Sequence, residues 1–346
     1  MEIVKESVFI SAIRSLCKTL FGTVGIFLAF IPLFIIGSLS LGSKEASDKT
    51  IFTLLPDLSG SNSLKPLSSP VILQLSIQGV IGEDSLTAQV ISSQLLDSHK
   101  GALQKDRVKG ILLYLKTPGG TVIDSDNIYR MLMQYKKRFS VPIYAYVDGL
   151  CASGGVYISC AADKIFSSPI SEIGSVGVRA GEYFNVYDLL TKHDIKLVSV
   201  NNGTNRNALS PFTSWENVGK ESENLQNICA GLYQNFVDIV SSARPLLTKE
   251  KLINEYGANF YLAPQAQEYG YIDNGNACYD DALSELLATA KIDTSKPYQV
   301  VELQARAKWL ASLFKGDSAI INLLGYFFNT PKKNNGMQHF SYLSQP

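Results

Sequence analysis

The chain has 346 residues, 46% of them hydrophobic and 18% charged, with 31 basic side chains against 31 acidic ones. That balance excludes a nucleic-acid binder, whose phosphate contacts need a basic excess, and the apolar share excludes an intrinsically disordered chain. Five cysteines without a CxxC pair encode neither a disulfide framework nor a zinc ribbon, and three scattered histidines (His99, His193, His339) offer no metal-ligand spacing. No cofactor and no metal are expected.

From Thr19 to Ser43 no residue is charged and most are apolar. That is the length a helix needs to cross a bilayer core, and Pro32 is tolerated in such a helix. A cleaved signal peptide would have a shorter apolar region. The spacing therefore predicts a cytoplasmic segment over 1–18 and an anchor over 19–43. A linker rich in Ser, Leu and Pro follows over 44–69. Lys5, Arg14 and Lys18 before the span outnumber Lys44 and Lys49 after it by one. The positive-inside rule then leans toward a cytoplasmic amino terminus, with the bulk of the chain outside an inner membrane, on its periplasmic side.

The globular part, 70–295, alternates strands with helices. Val71–Ile77 reads as a strand and Val90–Leu96 as a piece of helix. Gly110–Leu115 is the near-continuous apolar run of a strand buried on both faces, and it stops at Thr117-Pro118-Gly119-Gly120. Ile128, Met131, Leu132 and Tyr135 recur at helical spacing, with Asp124 or Ser125 placed to cap the start. Pro142–Val147 reads as a strand ending at Asp148-Gly149, Ala152–Ala162 as a helix of small residues, and Lys164–Phe166 as a short strand. Helix is expected over Val186–Lys192, strand over Lys196–Val200, and a long helix over Trp215–Arg244 with Leu225, Ile228, Leu232, Phe236 and Ile239 on one stripe. The extension over 296–346 places Val301, Leu303, Trp309, Leu310, Leu313 and Phe314 on a helical pattern before a loose tail. Such alternation argues for an α/β fold with a mostly parallel sheet, whose post-strand loops share one rim.

Two loops on that rim are unusual. In Ala152-Ser153-Gly154-Gly155 a serine stands at a strand-to-helix junction, where backbone amides favour the oxyanion that develops when a hydroxyl attacks an amide carbonyl. The bland alternative is a helix cap. In LKTPGG, two glycines leave backbone amides open at the end of a buried strand. They can supply a second oxyanion donor and a docking edge for an extended peptide, or simply a turn.

TPGG, then about thirty residues on ASGGVYISCAADKIF, then IGSVGV, NALSPF and ANFYLAPQAQEYGYIDNG together resemble the signal peptide peptidase A family of membrane-anchored serine proteases. The resemblance runs from about Val71 to Leu287. It implies a Clp-protease/crotonase-like spiral of ββα units and a homo-oligomeric ring. Substrates would be residual signal peptides or short hydrophobic peptides. It makes Ser153 the nucleophile, with Gly119, Gly120 and Gly154 supplying the oxyanion hole. The family's general base is a lysine five residues before the proline of the SPF-like stretch. Here that position, counted back from Pro211, holds Arg206.

A guanidinium with a pKa of about 12.5–13.8 does not readily give up its proton at neutral pH, and arginine does not replace lysine in this task. His193, Lys192 and Lys196 stand near in sequence as other bases. Without a base, the chain would be a non-hydrolytic ring that binds peptides or partners. A crotonase-type acyl-CoA enzyme would share the fold but need neither the anchor nor a serine at position 153. A cysteine nucleophile at Cys151 is a further alternative, with Cys160 its small neighbour.

Overall fold

The computed structural model describes residues 14–23, 25, 51–83, 86–198, 202, 210–304 and 341–343. The chain divides into two compact units, residues 1–49 and 50–346. In the first, residues 14–23 are helical, and the Thr19 hydroxyl donates to the Ser15 carbonyl at 2.8 Å. Beyond residue 25, the span expected over 19–43 lies outside the described residues. Among the described residues, no helix is long and apolar enough to cross a membrane.

The second unit is a mixed α/β structure. Its main sheet contains β1 (Ile51–Leu55), β2 (Val71–Gln78), β3 (Val108–Thr117), β5 (Ile143–Ala152), β6 (Lys164–Ser167), β7 (Glu172–Gly174), β8 (Phe260–Leu262) and β9 (Gln299–Gln304). The order is β1-β9-β2-β3-β5-β7-β8, with β6 also paired to β5. The centre is parallel; only the outer pairs β1–β9 and β7–β8 are antiparallel. A separate two-stranded ladder joins β4 (Gly119–Thr121) to β10 (Ser341–Leu343).

Burial on both faces explains the continuous apolar runs. On one face Leu73, Leu75, Ile111, Leu113 and Val147 join a core with residues of α1 (Ala88–Asp97), α2 (Val122–Phe139), α3 (Gly154–Ser159) and α5 (Trp215–Ala243). On the other face Ile72, Leu112 and Tyr144 pack with Leu283, Leu286 and Leu287 of α7 (Tyr279–Thr289).

Several expectations are corrected. Ile51–Leu55, inside the stretch read as linker, is an edge strand, because its β-prone IFTLL run finds the open side of β9. Val301 and Leu303 belong to that β9 strand and not to a helix. All of Val300–Leu303 is buried, as a strand between two neighbours requires. Trp309, Leu310, Leu313 and Phe314 lie outside the described residues. Helix α2 starts earlier than expected: Thr121 caps it, its hydroxyl oxygen accepting the Asp124 amide at 3.2 Å.

Asp148-Gly149 does not end β5. The strand continues through it and forks, Tyr144–Val147 pairing with β6 and Leu150–Ala152 with β7. Gly149 takes φ +91° at the fork, a conformation glycine adopts without steric cost. The strand expected over Lys196–Val200 does not form at 196–198, where Leu197 and Val198 are exposed without a partner strand; 199–200 lie outside the described residues.

The carboxyl end of α5 is fastened by Arg244. Its guanidinium donates to the Gly270 carbonyl and to Asp273 Oδ2, each at 2.9 Å, and the same carboxylate oxygen accepts the Ile165 amide of β6 at 2.8 Å. Arg244 is nearly buried whereas Asp273 is partly exposed, so water recovers part of any loss. Arg244→Met is expected to destabilise the domain by about 2–3 kcal/mol. A thermal melt checks this as a midpoint drop of roughly 5–10 °C.

Candidate active site

Strand β5 hands the chain to α3 through Ser153. The serine amide donates to the Gly174 carbonyl of β7 at 2.9 Å, and its own carbonyl accepts the first helical bond, from Tyr157 N–H, at 3.0 Å. Between these two anchors Ser153 is held at φ +53°, ψ −111°, outside the regions open to L-residues. Such a conformation costs on the order of 1–3 kcal/mol and persists only where its surroundings enforce it. Gly174 helps enforce it: at φ +141°, a Cβ there would lie 2.3 Å from the Asn259 carbonyl oxygen. The serine side chain makes no capping bond to its helix, so the capping alternative is not realised. Ser153 is 1% exposed in this chain.

Helix α3 is pinned from two sides through Tyr157. Its hydroxyl donates to Asp126 Oδ1 of α2 at 2.7 Å and accepts Asn235 Nδ2 of α5 at 2.9 Å. Its ring lies 5.2 Å from that of Phe236. Nothing in the pattern of the sequence singled out Tyr157; its role depends on two helices distant in the chain.

The second loop arrives from β3. Thr117 is fully buried; its hydroxyl donates to the Gly79 carbonyl at 2.6 Å and accepts the Gly119 amide at 3.0 Å. The Gly119 carbonyl accepts Ile81 N–H and the Thr121 amide donates to the Ile81 carbonyl, both at 2.8 Å. Successive groups along a strand face opposite edges, so the Gly120 N–H and C=O point away from Ile81. A Cβ on Gly120 would fall 1.9 Å from the Ile81 carbonyl oxygen, and one on Gly154 would fall 2.4 Å from Ser125 Oγ and 3.4 Å from the Gly120 nitrogen. Gly120 therefore admits no Cβ, and one on Gly154 would require the Ser125 side chain to move.

Of the three amides expected at an oxyanion hole, those of Gly120 and Gly154 belong to backbones that lie close together, since a Cβ on Gly154 would stand 3.4 Å from the Gly120 nitrogen. Gly154 N–H, in the first turn of α3, has no carbonyl within its own helix to reach. Gly119 N–H is spent on Thr117, a role for the threonine of TPGG that the sequence alone left unread.

Arg206 lies outside the described residues. His193, Lys192 and Lys196 are exposed, and among the described residues no hydrogen bond joins any of them to Ser153. Cys151 and Cys160 are buried packing residues. Burial pushes both thiols up, Cys160 to about 12, which disfavours the reactive thiolate. Neither is expected to react with iodoacetamide at pH 7.5 in the native fold, as peptide mapping after alkylation will read. Cys151→Ser is expected to leave any peptidase activity in place.

The Peptidase family S49 pattern matches residues 135–293, a stretch that holds Ser153, α3 and β5 to α7. Over 310 residues the chain is 29% identical to a protein of Enterococcus faecium provisionally named signal peptide peptidase SppA, covering 85% of this chain and 87% of that one. Over 187 residues it is 33% identical to a protein of Methanocaldococcus jannaschii provisionally named a protease, covering 54% of this chain and 58% of the relative. Among solved structures, a ClpP1 variant from Listeria monocytogenes aligns over 63% of this chain and 96% of its own, at 17% identity and a TM-score of 0.39. The segment similar to peptidase family S49 is thus the one that carries the strained serine and its helix, and the chain is a peptidase.

Proposed function

We propose that the chain is a membrane-anchored serine endopeptidase that cleaves residual signal peptides or other short hydrophobic peptides, with Ser153 as nucleophile. The observation that carries this reading is the serine itself: held in a costly backbone conformation, not capping its helix, and followed directly by Gly154, which packs close to the Gly120 nitrogen. A backbone strained at no benefit to the helix is characteristic of a reacting group.

In this scheme an extended peptide adds antiparallel to the Gly119–Thr121 edge, which presents its carbonyl near Ser153. A base takes the Ser153 hydroxyl proton as Oγ bonds to the carbonyl carbon. The carbonyl oxygen becomes an oxyanion bonded by the two amides. Collapse breaks the C–N bond, and the amine leaves with the proton held by the base. Water then attacks the acyl-serine by the same route and frees the acid. Arg206 occupies the family's base position and is the weak point of the scheme. The domain would take the Clp-protease/crotonase-like spiral and face the periplasm from an inner-membrane anchor. The name of the Enterococcus relative supports the substrate class.

A ring of subunits is supported by apolar surface far from the core. Phe184, Leu189, Ile195, Leu197 and Val198 are exposed on and around α4 (Tyr187–Lys192), which buries no residue in this chain. Helix α5 reaches the core through its carboxyl-terminal part, with Phe236, Val237 and Val240 buried and Leu232 and Tyr233 packed against it, while Ile228 stands exposed. A second copy is the simplest cover for such a patch.

Serine-directed fluorophosphonate labelling of the full chain in detergent tests the proposal. Labelling that maps to Ser153 is expected; its absence in an oligomeric, folded sample would favour the non-hydrolytic ring. The arginine at position 206 is the one observation in favour of that second reading.

A further inference from the structure

A cavity of about 450 Å³ lies between the carboxyl-terminal halves of α1 and α2, a volume suited to a small ligand. Leu95 and Leu96 of α1 and Met131, Tyr135 and Phe139 of α2 give it an apolar wall, and Leu96 is exposed there. The His99 ring lines it too, stacked on Phe139 with 3.8 Å between centroids. Burial holds that imidazole below its ordinary range, so it is neutral at pH 7. Its Nε2 is buried without a hydrogen-bond partner among the described residues. A polar atom left unpaired in a cavity wall points to a partner that the fold does not supply. His99, Asp106, Arg138 and Phe139 also border a second cavity, of about 640 Å³, together with Lys109 and Lys291. Around the two cavities stand the cations Lys109, Arg138 and Lys291, against the single carboxylate of Asp106. None of the three cations makes an ion pair among the described residues. Thr121 caps the opposite end of α2, so the 18 residues of that helix set this cleft roughly 25 Å from the Gly120 edge.

We infer that this cleft binds the carboxyl-terminal end of a short hydrophobic peptide, with its last side chain between α1 and α2 and its carboxylate on Arg138. A guanidinium pairs with a carboxylate in bidentate fashion. Arg138 lies over the Phe139 ring at 5.3 Å, on the border of both cavities, where Lys109 and Lys291 add charge of the same sign. Ser92 and Gln134 in the apolar cavity can bond a peptide unit, whereas a fatty acyl chain would leave them unmet. The chain's own stretch after β9 has the wrong charge for this cleft, with Arg306, Lys308 and Lys315 and no acid between them. A peptidase creates a new carboxyl end at every cut, so the ligand is of the class of its own products. The inference rests on the proposed substrates only for the source of that ligand, since the cleft stands apart from Ser153.

The probe is dansyl-Leu-Phe with a free carboxylate, titrated by fluorescence into the full chain in detergent. Saturable binding is expected, weakened about tenfold or more by amidation of the probe and by Arg138→Ala. Ser92→Trp, which fills the apolar cavity, should weaken it similarly, and decanoate should fail to displace the probe. Arg138→Ala should leave fluorophosphonate labelling of Ser153 unchanged, which separates the cleft from the active site. Equal affinity for the acid and the amide, or for the native and Arg138→Ala chains, overturns the inference. Displacement by decanoate also overturns it, by assigning the cleft to a fatty acid. Should no chain be labelled at Ser153 while binding still depends on Arg138, the serine scheme has failed and the cleft stands.

Discussion

Ser153→Ala is expected to lower kcat/KM for a hydrophobic peptide by at least about 10³-fold and to abolish fluorophosphonate labelling. Removing the nucleophile of a serine peptidase leaves only the contribution of bound amides and positioning. Folding should be nearly unaffected, because the alanine methyl occupies the space of the serine Cβ and no capping bond is lost. Ser153→Gly makes the sharper comparison. It is equally inactive, yet it relieves an L-residue from φ +53°, and the relief is worth about 1 kcal/mol. In a domain of this size that appears as a rise of roughly 2–4 °C in the thermal midpoint. An inactive and more stable glycine variant would mark the strain as serving chemistry. Turnover that survives Ser153→Ala would instead point to non-covalent catalysis of the crotonase kind.

The parts of the fold legible in the sequence were those where one physical demand dominates. GILLYL reads as a strand because both faces of β3 are buried and no polar residue is needed at period two, and VILQLSI because its Gln74 and Ser76, on one face of β2, find hydrogen-bond partners in Tyr279 and Glu302. The two glycine loops read as a site because glycines mark close backbone approach, as Gly120 against the Ile81 carbonyl demonstrates.

What escaped depended on distant partners. Asp148-Gly149 has the composition of a turn, yet β5 passes through it, since β6 pairs on one side of the fork and β7 on the other. Val301 and Leu303 fit a helical spacing and a strand equally well over so short a run. Pairing with Ile51–Leu55 and with β2, far away in the chain, decides for the strand. The division of labour among the glycine amides was likewise invisible, because it turns on a Thr117 hydroxyl that reaches Gly79 as well as Gly119.

Arg206→Lys is expected to raise peptidase activity, by about tenfold at least and by up to ~10³-fold. The argument is one of protonation. Against an unperturbed pKa of about 10.4 for lysine, arginine stands at about 12.5–13.8, so at equal surroundings the neutral lysine is at least a hundredfold more abundant at pH 7. Burial lowers a lysine pKa by several units and leaves a usable base. The planar guanidinium spreads its charge over three nitrogens and keeps its proton.

The pH profile adds a second readout. A lysine base must lose its proton to act, so kcat/KM of the variant should rise with pH through the lysine pKa of the folded enzyme, about 7–8 for a tuned base. The native chain should show no limb that belongs to Arg206, whose proton is held throughout the range in which a lysine base titrates. A fall in activity in Arg206→Lys would assign the guanidinium a positive role of its own, such as pairing bidentately with a carboxylate of the substrate or of a neighbouring residue. An unchanged rate and profile would place the base elsewhere, and single substitutions of His193, Lys192 and Lys196 would then identify it by the one that removes turnover while fluorophosphonate still reaches Ser153.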